Sequence, residues 1–172
     1  MRRSILWTLL ASFLGGIVGY AHWPSAVLPA GLRADRVIVE KQSRQLLLMR
    51  GDEVLKSYRV ALGGSPAGPK ARQGDKKTPE GRYVVDYRNP NSRFHLALHI
   101  SYPSAADVAR ATQQGVDPGG AIMIHGLQNG LGWIGRWHRL VDWTDGCVAV
   151  TNPEIEEIWR AVPDGTPIEI RP

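Results

Sequence analysis

A chain of 172 residues, 43% apolar and 22% charged, is long enough for one domain with its own core and short for two, and its composition excludes a disordered protein. Its net charge of +5 suits an anionic surface such as membrane lipid or cell-wall polymer, and the lack of a basic run interleaved with aromatics excludes a nucleic-acid binder. The single cysteine, Cys147, excludes an internal disulfide and leaves stability to packing.

Met1-Arg-Arg-Ser precedes an uncharged apolar run from Ile5 to Tyr20. This is the pattern of a secretory signal peptide or an uncleaved membrane anchor over residues 1–22. Both outcomes stay open. Gly19-Tyr-Ala21 offers a small-x-small cleavage site, while about sixteen apolar residues, extended by Ala21 to Trp23, approach the ~20 that span a bilayer. Residues 23–35 read as an extended linker. Arg2 and Arg3 remain on the cytoplasmic side, so the domain from 36 to 172 is exported.

From Arg36 the pattern turns to short β-type runs. Arg36–Glu40 and Gln45–Met49 predict strands, and the turn Arg50-Gly-Asp-Glu53 leads into a third, Val54–Leu62, whose imperfect alternation predicts burial on both faces. Gly63 to Pro79 is a long glycine- and proline-rich connection, the kind that is functional or mobile. Pro69 follows Gly68 where a phosphate loop needs Lys-Ser/Thr, so a nucleotide site is rejected. Lys70 to Lys77 reads as a solvated surface. After a strand at Gly81–Tyr87, the alternation in Phe94–Tyr102 puts His95, Ala97, His99 and Ser101 on one face and Leu96, Leu98, Ile100 and Tyr102 toward the core. His95 and His99 would suit zinc only on a helix, so no metal site is assigned. Ala105–Gln113 predicts a short polar helix, and residues 103–120 are placed as a cover over the site. The apolar run Ala121–Ile124 ends at His125-Gly126. A stretch with Gly130, Gly132, Gly135, Trp133, Trp137 and Trp143 follows and suits a groove for a sugar-peptide chain. Asn152 as N-cap and Pro153 at the first turn begin a helix whose core face is Ile155, Ile158, Trp159 and Val162. Pro167–Ile170 predicts the last strand.

A lone thiol in an exported chain needs a reason, and a nearby histidine supplies one by acting as base or positive neighbour. Cys147 and His125 are therefore the candidate catalytic pair. Gly146 and Gly126, which keep side chains out of the way, together with Thr144 and Asp145, are candidates for positioning and for holding an oxyanion. Asp145, if close, opposes thiolate formation and favours a charged His125. A buried, inert cysteine is the alternative reading of the residues alone.

Four segments resemble the catalytic domain of the L,D-transpeptidase (YkuD-type) family: Thr78-Pro-Glu-Gly81, Ile124-His-Gly126, Thr144-Asp-Gly-Cys-Val148 and Gly165-Thr-Pro-Ile-Glu-Ile170. With Asp142-Trp143 before the cysteine, the match looks like the YafK-like branch. The resemblance implies a mostly-β fold, a YkuD-type sandwich or mixed sheet with one or two short helices. It implies Cys147 as nucleophile and His125 as base, acting without cofactor on peptidoglycan peptide stems or wall-attached protein. The export reading places the domain in the periplasm or anchored in the inner membrane facing it, and a monomer is expected with the oligomeric state left open. Many relatives carry Arg two residues after the cysteine, where this chain has Ala149, so a bidentate partner is missing. His99, Arg93 and Arg136 are candidates to replace it, and Trp133 and Trp143 to line the substrate groove. Transfer to an amine, hydrolysis by water as a carboxypeptidase or amidase, and a non-catalytic wall-binding module all remain open.

Overall fold

The computed structural model describes residues 19–22 and 26–172, so most of the expected signal or anchor segment lies outside the described residues. β-branched and leucine-rich runs broken by turn residues give β1 (Arg36–Glu40), β2 (Gln45–Arg50), β3 (Glu53–Arg59), β4 (Gly81–Ser92) and β5 (His95–Ile100). Then come α1 (Ala105–Gln113), β6 (Met123–His125), a 3-10 segment (Gly132–Leu140), β7 (Val148–Ala149), α2 (Asn152–Ala161) and β8 (Pro167–Arg171). The eight strands form one mixed sheet in the order β3-β2-β1-β8-β4-β5-β6-β7. β1 with β8 and β6 with β7 are parallel, and the remaining neighbours are antiparallel.

β4 joins two halves of this sheet. Gly81–Val84 pair with β8, and from Val85 onward the strand pairs with β5 across a register shift at Val85/Tyr87. The halves share one core, which takes Val37, Leu46 and Leu48 from one side, Leu98, Ile100, Ile124 and Val148 from the other, and Ile155 and Ile158 from α2. Burial of these side chains at roughly 1.5–3 kcal/mol each is the main favourable term.

The third strand departs from the sequence expectation. Within β3 only Tyr58 is buried, and Val54 is 49% exposed, because β3 is an edge of the sheet. The apolar tail Val60, Ala61 and Leu62 is fully buried for another reason: it leaves β3 and bridges to β7. Ala61 N–H donates to Ala149 O at 3.0 Å and Ala149 N–H to Ala61 O at 2.8 Å, so the far edge of the sheet is covered too.

Both helices carry reciprocal caps. Ser104 and Asp107 cap α1 at the predicted boundary. For α2 the cap is Thr151, not Asn152: the Glu154 carboxylate accepts from Thr151 N–H at 3.0 Å and from its hydroxyl at 2.7 Å. Asn152 instead accepts the Leu127 N–H at 2.8 Å, tying the helix start to the chain beyond β6. Residues 26–35, expected as linker, are docked on the domain. Leu28 and Ala34 belong to the core, and Ala34 N–H donates to Ala161 O at 2.9 Å. Among the described residues no helix is long and apolar enough to cross a membrane.

Candidate active site

The site is laid down by strand register. Ile124 faces Val148 across the parallel β6–β7 pair, both in the core, so the alternate residues Met123, His125, Cys147 and Ala149 share the opposite face. β5 adds Ala97 beside His125. Cys147 and His125 thus open onto one cleft of about 280 Å³, floored by Ala97, Ala121 and Met123 and walled by the tip of the β4–β5 hairpin, from Asn89 to Phe94.

The turn before Cys147 is held by side chains and by a close backbone approach. Thr144 Oγ1 accepts the Gly146 N–H at 3.1 Å and donates to Cys147 O at 2.8 Å. Asp142 accepts the Leu62 N–H at 2.9 Å and pairs with Arg44 at 2.8 Å. Gly146 has φ of 130°, and a Cβ there would lie 2.6 Å from Lys77 O; a Cβ on Gly63 would lie 2.2 Å from Lys76 O. Only glycine allows this contact with the 63–79 loop. The Gly146 N–H is engaged by Thr144 and positions the turn.

Two buried ammonium groups fix that loop. Lys41 Nζ donates to Gly68 O, Thr78 O and Glu80 at 2.7, 2.9 and 2.7 Å. Lys70, expected as solvated, is buried and pairs with Asp75 at 2.8 Å. Burial works to raise the Asp75 pKa, but Lys70 and the N–H groups of Ala71, Arg72 and Lys77 outweigh it and bring it down to about 2. The local sequence is rich in turn formers, and the loop folds back on itself so that Asp75 and Arg72 O take up its first lysine.

Burial pushes the Cys147 thiol up, with Asp145 adding to the rise, while the Met123 N–H and Lys70 work against it. Its Sγ lies 3.6 Å from Ala121 O, the geometry of a protonated thiol. His125 is 3% exposed, and burial lowers its pKa against the opposing Gly126 carbonyl. Nδ1 lies 2.7 Å from Gly126 O, an acceptor, so Nδ1 carries the proton and Nε2 keeps its lone pair. The resting pair is a neutral thiol and a neutral imidazole. Asp145 thus acts on the thiol as expected, but burial keeps His125 uncharged. A backbone carbonyl orients this base in the place a carboxylate often takes.

Aromatic rings enclose the imidazole. Phe94 stands 4.6 Å away and Trp143 5.8 Å away, edge-on. Behind Trp143 lies a group that sequence reading missed: Trp143 Nε1 donates to Nδ1 of His138 at 3.4 Å. His138 is 7% exposed, and burial, helped by Arg139, lowers its pKa to about 4. Arg139 pairs with Glu154 of the α2 cap, so this network runs from the ring over His125 to the helix start. The irregular glycine and tryptophan spacing of 130–143 gives no periodicity from which to find it.

The other predicted residues divide. Arg93 lies in the cleft, with Asn89, Asn91 and Ser92, which were not singled out. His99 is engaged elsewhere, with Nδ1 2.6 Å from Asp86 and its ring stacked on Tyr87 at 4.5 Å. Arg136 lines a larger, separate cavity of about 550 Å³ that holds neither Cys147 nor His125. Trp133 is 70% exposed and outside the cleft lining. Residues 103–120, placed as a cover, contribute none of the lining either; α1 packs on the far half through Tyr83 and Asp107. Ala149 is fully buried between β6 and Ala61. Among the described residues no three His, Cys, Asp or Glu side chains are placed to hold a metal ion.

The profile of the YkuD L,D-transpeptidase catalytic domain matches residues 34–170. YafK of Escherichia coli (strain K12), whose name assigns it provisionally to the L,D-transpeptidases, is 32% identical over 131 residues, covering 74% of this chain and 46% of the relative. The chain thus spans about half the length of the curated relatives it matches. Among solved structures, the helical cell shape determining protein Pgp2 from Campylobacter jejuni aligns with TM-score 0.58 at 22% identity, covering 91% of this chain and 54% of that one. Bd1075 of Bdellovibrio bacteriovorus aligns with TM-score 0.55 at 23% identity, covering 86% and 52%. At these identities the likeness is one of fold.

Proposed function

This chain belongs to the YkuD family of L,D-transpeptidase catalytic domains, and from that membership we propose that it is an exported cysteine acyltransferase acting on peptidoglycan stem peptides. The observation that carries the reading is the opening of Cys147 and His125 onto one cleft from adjacent strands, with His125 Nε2 left unprotonated by the Nδ1–Gly126 contact. The Cys147 sulfur attacks the carbonyl at the L-centre of the diamino acid in a tetrapeptide stem as its proton passes to His125 Nε2. The tetrahedral adduct collapses, the C–N bond to the terminal D-alanine breaks, and the imidazolium returns the proton to the departing amine. A thioester on Cys147 remains. An amine of a second stem then takes the acyl group, giving its proton to His125, and the thiol is restored.

Water in place of that amine is the second reading, a carboxypeptidase or amidase. It is favoured by Ala149, whose burial leaves no guanidinium beside the nucleophile, and by a cleft of about 280 Å³, room for one peptide end rather than two. Residues 1–22 serve as signal or anchor in this proposal, and the catalytic domain, 36–172 with the docked 26–35, works in the periplasm or at the outer face of the inner membrane.

Intact-mass analysis after incubation with a disaccharide tetrapeptide tests the chemistry. The wild type gains the mass of the acyl group on Cys147 and releases D-alanine; Cys147→Ala does neither. Release of D-alanine by Cys147→Ala would sink the mechanism. The ratio of crosslinked to hydrolysed product, with acceptor stems supplied, separates the two readings.

A further inference from the structure

Several charged groups placed near the thiol cleft are matched by partners. Lys70 is paired with Asp75, His99 with Asp86, and Arg44 with Asp142. Arg93 lines the cleft and, among the described residues, carries no ion pair; no Asp or Glu lines the cleft with it. An unmatched guanidinium facing a small cleft attracts an anion, and its planar fork fits a carboxylate.

The hairpin tip that presents Arg93 is fixed. Asn129 N–H donates to Arg93 O at 2.9 Å, Asn129 Nδ2 to Ser92 O at 3.1 Å, and His95 N–H to Asn129 Oδ1 at 3.0 Å. Phe94 N–H donates to Ser92 Oγ at 3.0 Å, and Asn91 N–H to Asn89 Oδ1 at 2.9 Å. The chain reverses through His95 at φ of 65°, a left-handed conformation uncommon outside glycine, which a histidine keeps most readily when its surroundings hold it. Here they do, through Asn129 and through Glu156, 2.8 Å from His95 Nε2. Phe94, next along the tip, packs on His125 and fixes the distance from this wall to the base.

We propose that the β4–β5 hairpin tip is a carboxylate-recognition subsite, in which Arg93 pairs with a carboxylate of the peptide whose carbonyl is attacked by Cys147. The inference rests on the acyltransferase reading and narrows its substrate class to peptides with a free carboxylate close to the scissile bond. Two carboxylates of a stem have this chemistry: the terminal one of the expelled D-residue, and the side-chain one of the diamino acid that donates the acyl group. Arg93 thereby supplies, from the opposite wall, the cation that Ala149 does not.

The test compares three synthetic stems on the full chain: both carboxylates free, the terminal one amidated, and the side-chain one amidated. The reading is the initial rate of Cys147 acylation by intact mass. The wild type is expected to favour the free acid over one of the amides by about ten- to a hundredfold, the worth of a charge-assisted pair. The amide that loses the rate identifies the carboxylate. In Arg93→Gln that ratio falls toward one, and Arg93→Lys restores part of it. Arg93 is exposed, so an unchanged melting temperature confirms that the variants fold. Equal wild-type rates on all three stems, or an acid preference that survives in Arg93→Gln, overturn the subsite while leaving the acyltransferase reading intact. Acylation by none of the stems removes both.

Discussion

On one side of the cleft, the 144–147 turn meets the 63–79 loop backbone to backbone, with glycines at the contact and two buried lysines behind it. On the other side, the hairpin tip stands on side-chain hydrogen bonds from Asn129, Ser92 and Asn89. Cys147 follows a turn where even a methyl group has no space, and the wall opposite presents exposed polar side chains. In the proposed function, chemistry fixed by packing and recognition fixed by replaceable surface groups are separable. One wall can change its preference without disturbing the other.

Substitutions on each side test that separation. Gly146→Ala should have the largest effect: it places a Cβ 2.6 Å from Lys77 O at a positive φ, costing about 1–3 kcal/mol in backbone strain alone. Acylation should fall by at least about a hundredfold as the thiol is displaced, read by intact mass beside a thermal melt. Lys41→Met leaves Glu80 and two loop carbonyls without their ammonium. A loss of about 2–3 kcal/mol is expected, below the range for a fully buried pair because Glu80 keeps some solvent contact, and urea unfolding measures it.

The aromatic network gives a pH-dependent effect. An unfolded histidine takes its proton near pH 6.5, whereas His138 in the fold takes it only at about 4. Between those values the unfolded chain binds more protons, so stability falls as pH drops through this window, and His125, also lowered, acts in the same direction. His138→Gln, which keeps an acceptor for Trp143, should flatten the decline of melting temperature between pH 6.5 and 4. The acid limb of the acylation rate should lie below the ordinary histidine range, because His125 stays unprotonated. An acid limb above pH 6.5 would contradict the neutral imidazole. The smallest effect is expected on the recognition wall. Asn129→Ala removes two partly solvated hydrogen bonds, about 1 kcal/mol together. It should raise KM for the stem peptide more than it lowers kcat; a drop in kcat alone would mean that this wall shares in positioning the nucleophile.

Most of the regular elements are legible in the sequence, because they depend on local pattern, and Cys147 and His125, singled out there, open onto one cleft. β1 follows from a β-branched run, and α1 from Ser104 and Asp107 at cap spacing. The same rule would have placed the second cap correctly: Thr151-Asn-Pro-Glu154 is a capping box, and the pairing of Thr151 with Glu154 outcompetes Asn152. The cleft walls were hidden for a different reason. Arg88-Asn-Pro-Asn-Ser92 lies beyond the strand expected at Gly81–Tyr87, yet β5 draws it into β4 across a bulge, overriding its poor strand propensity. Lys41 looks like a surface charge until distant carbonyls gather around it, and Lys70 does until its own loop folds Asp75 onto it. The same holds for His138, whose meaning comes from Trp143 and the start of α2.

β8, the strand between β1 and β4, ties β3-β2-β1 to the β4 end of the sheet through pairs such as Val37 with Ile168, drawn from opposite ends of the domain. Neighbouring antiparallel strands can pair early, since the loops between them are short, but this parallel joint must wait until nearly the whole domain is available. Loop lengths therefore favour hairpins that form first and a late closure by the C-terminal strand. A chain that emerges N-terminus first carries its thiol for some time before the scaffold that aligns it is complete. Acyl transfer should begin only when folding ends, and a proteolytic nick before residue 167 would remove the strand that ties β1 to β4 rather than trim an edge.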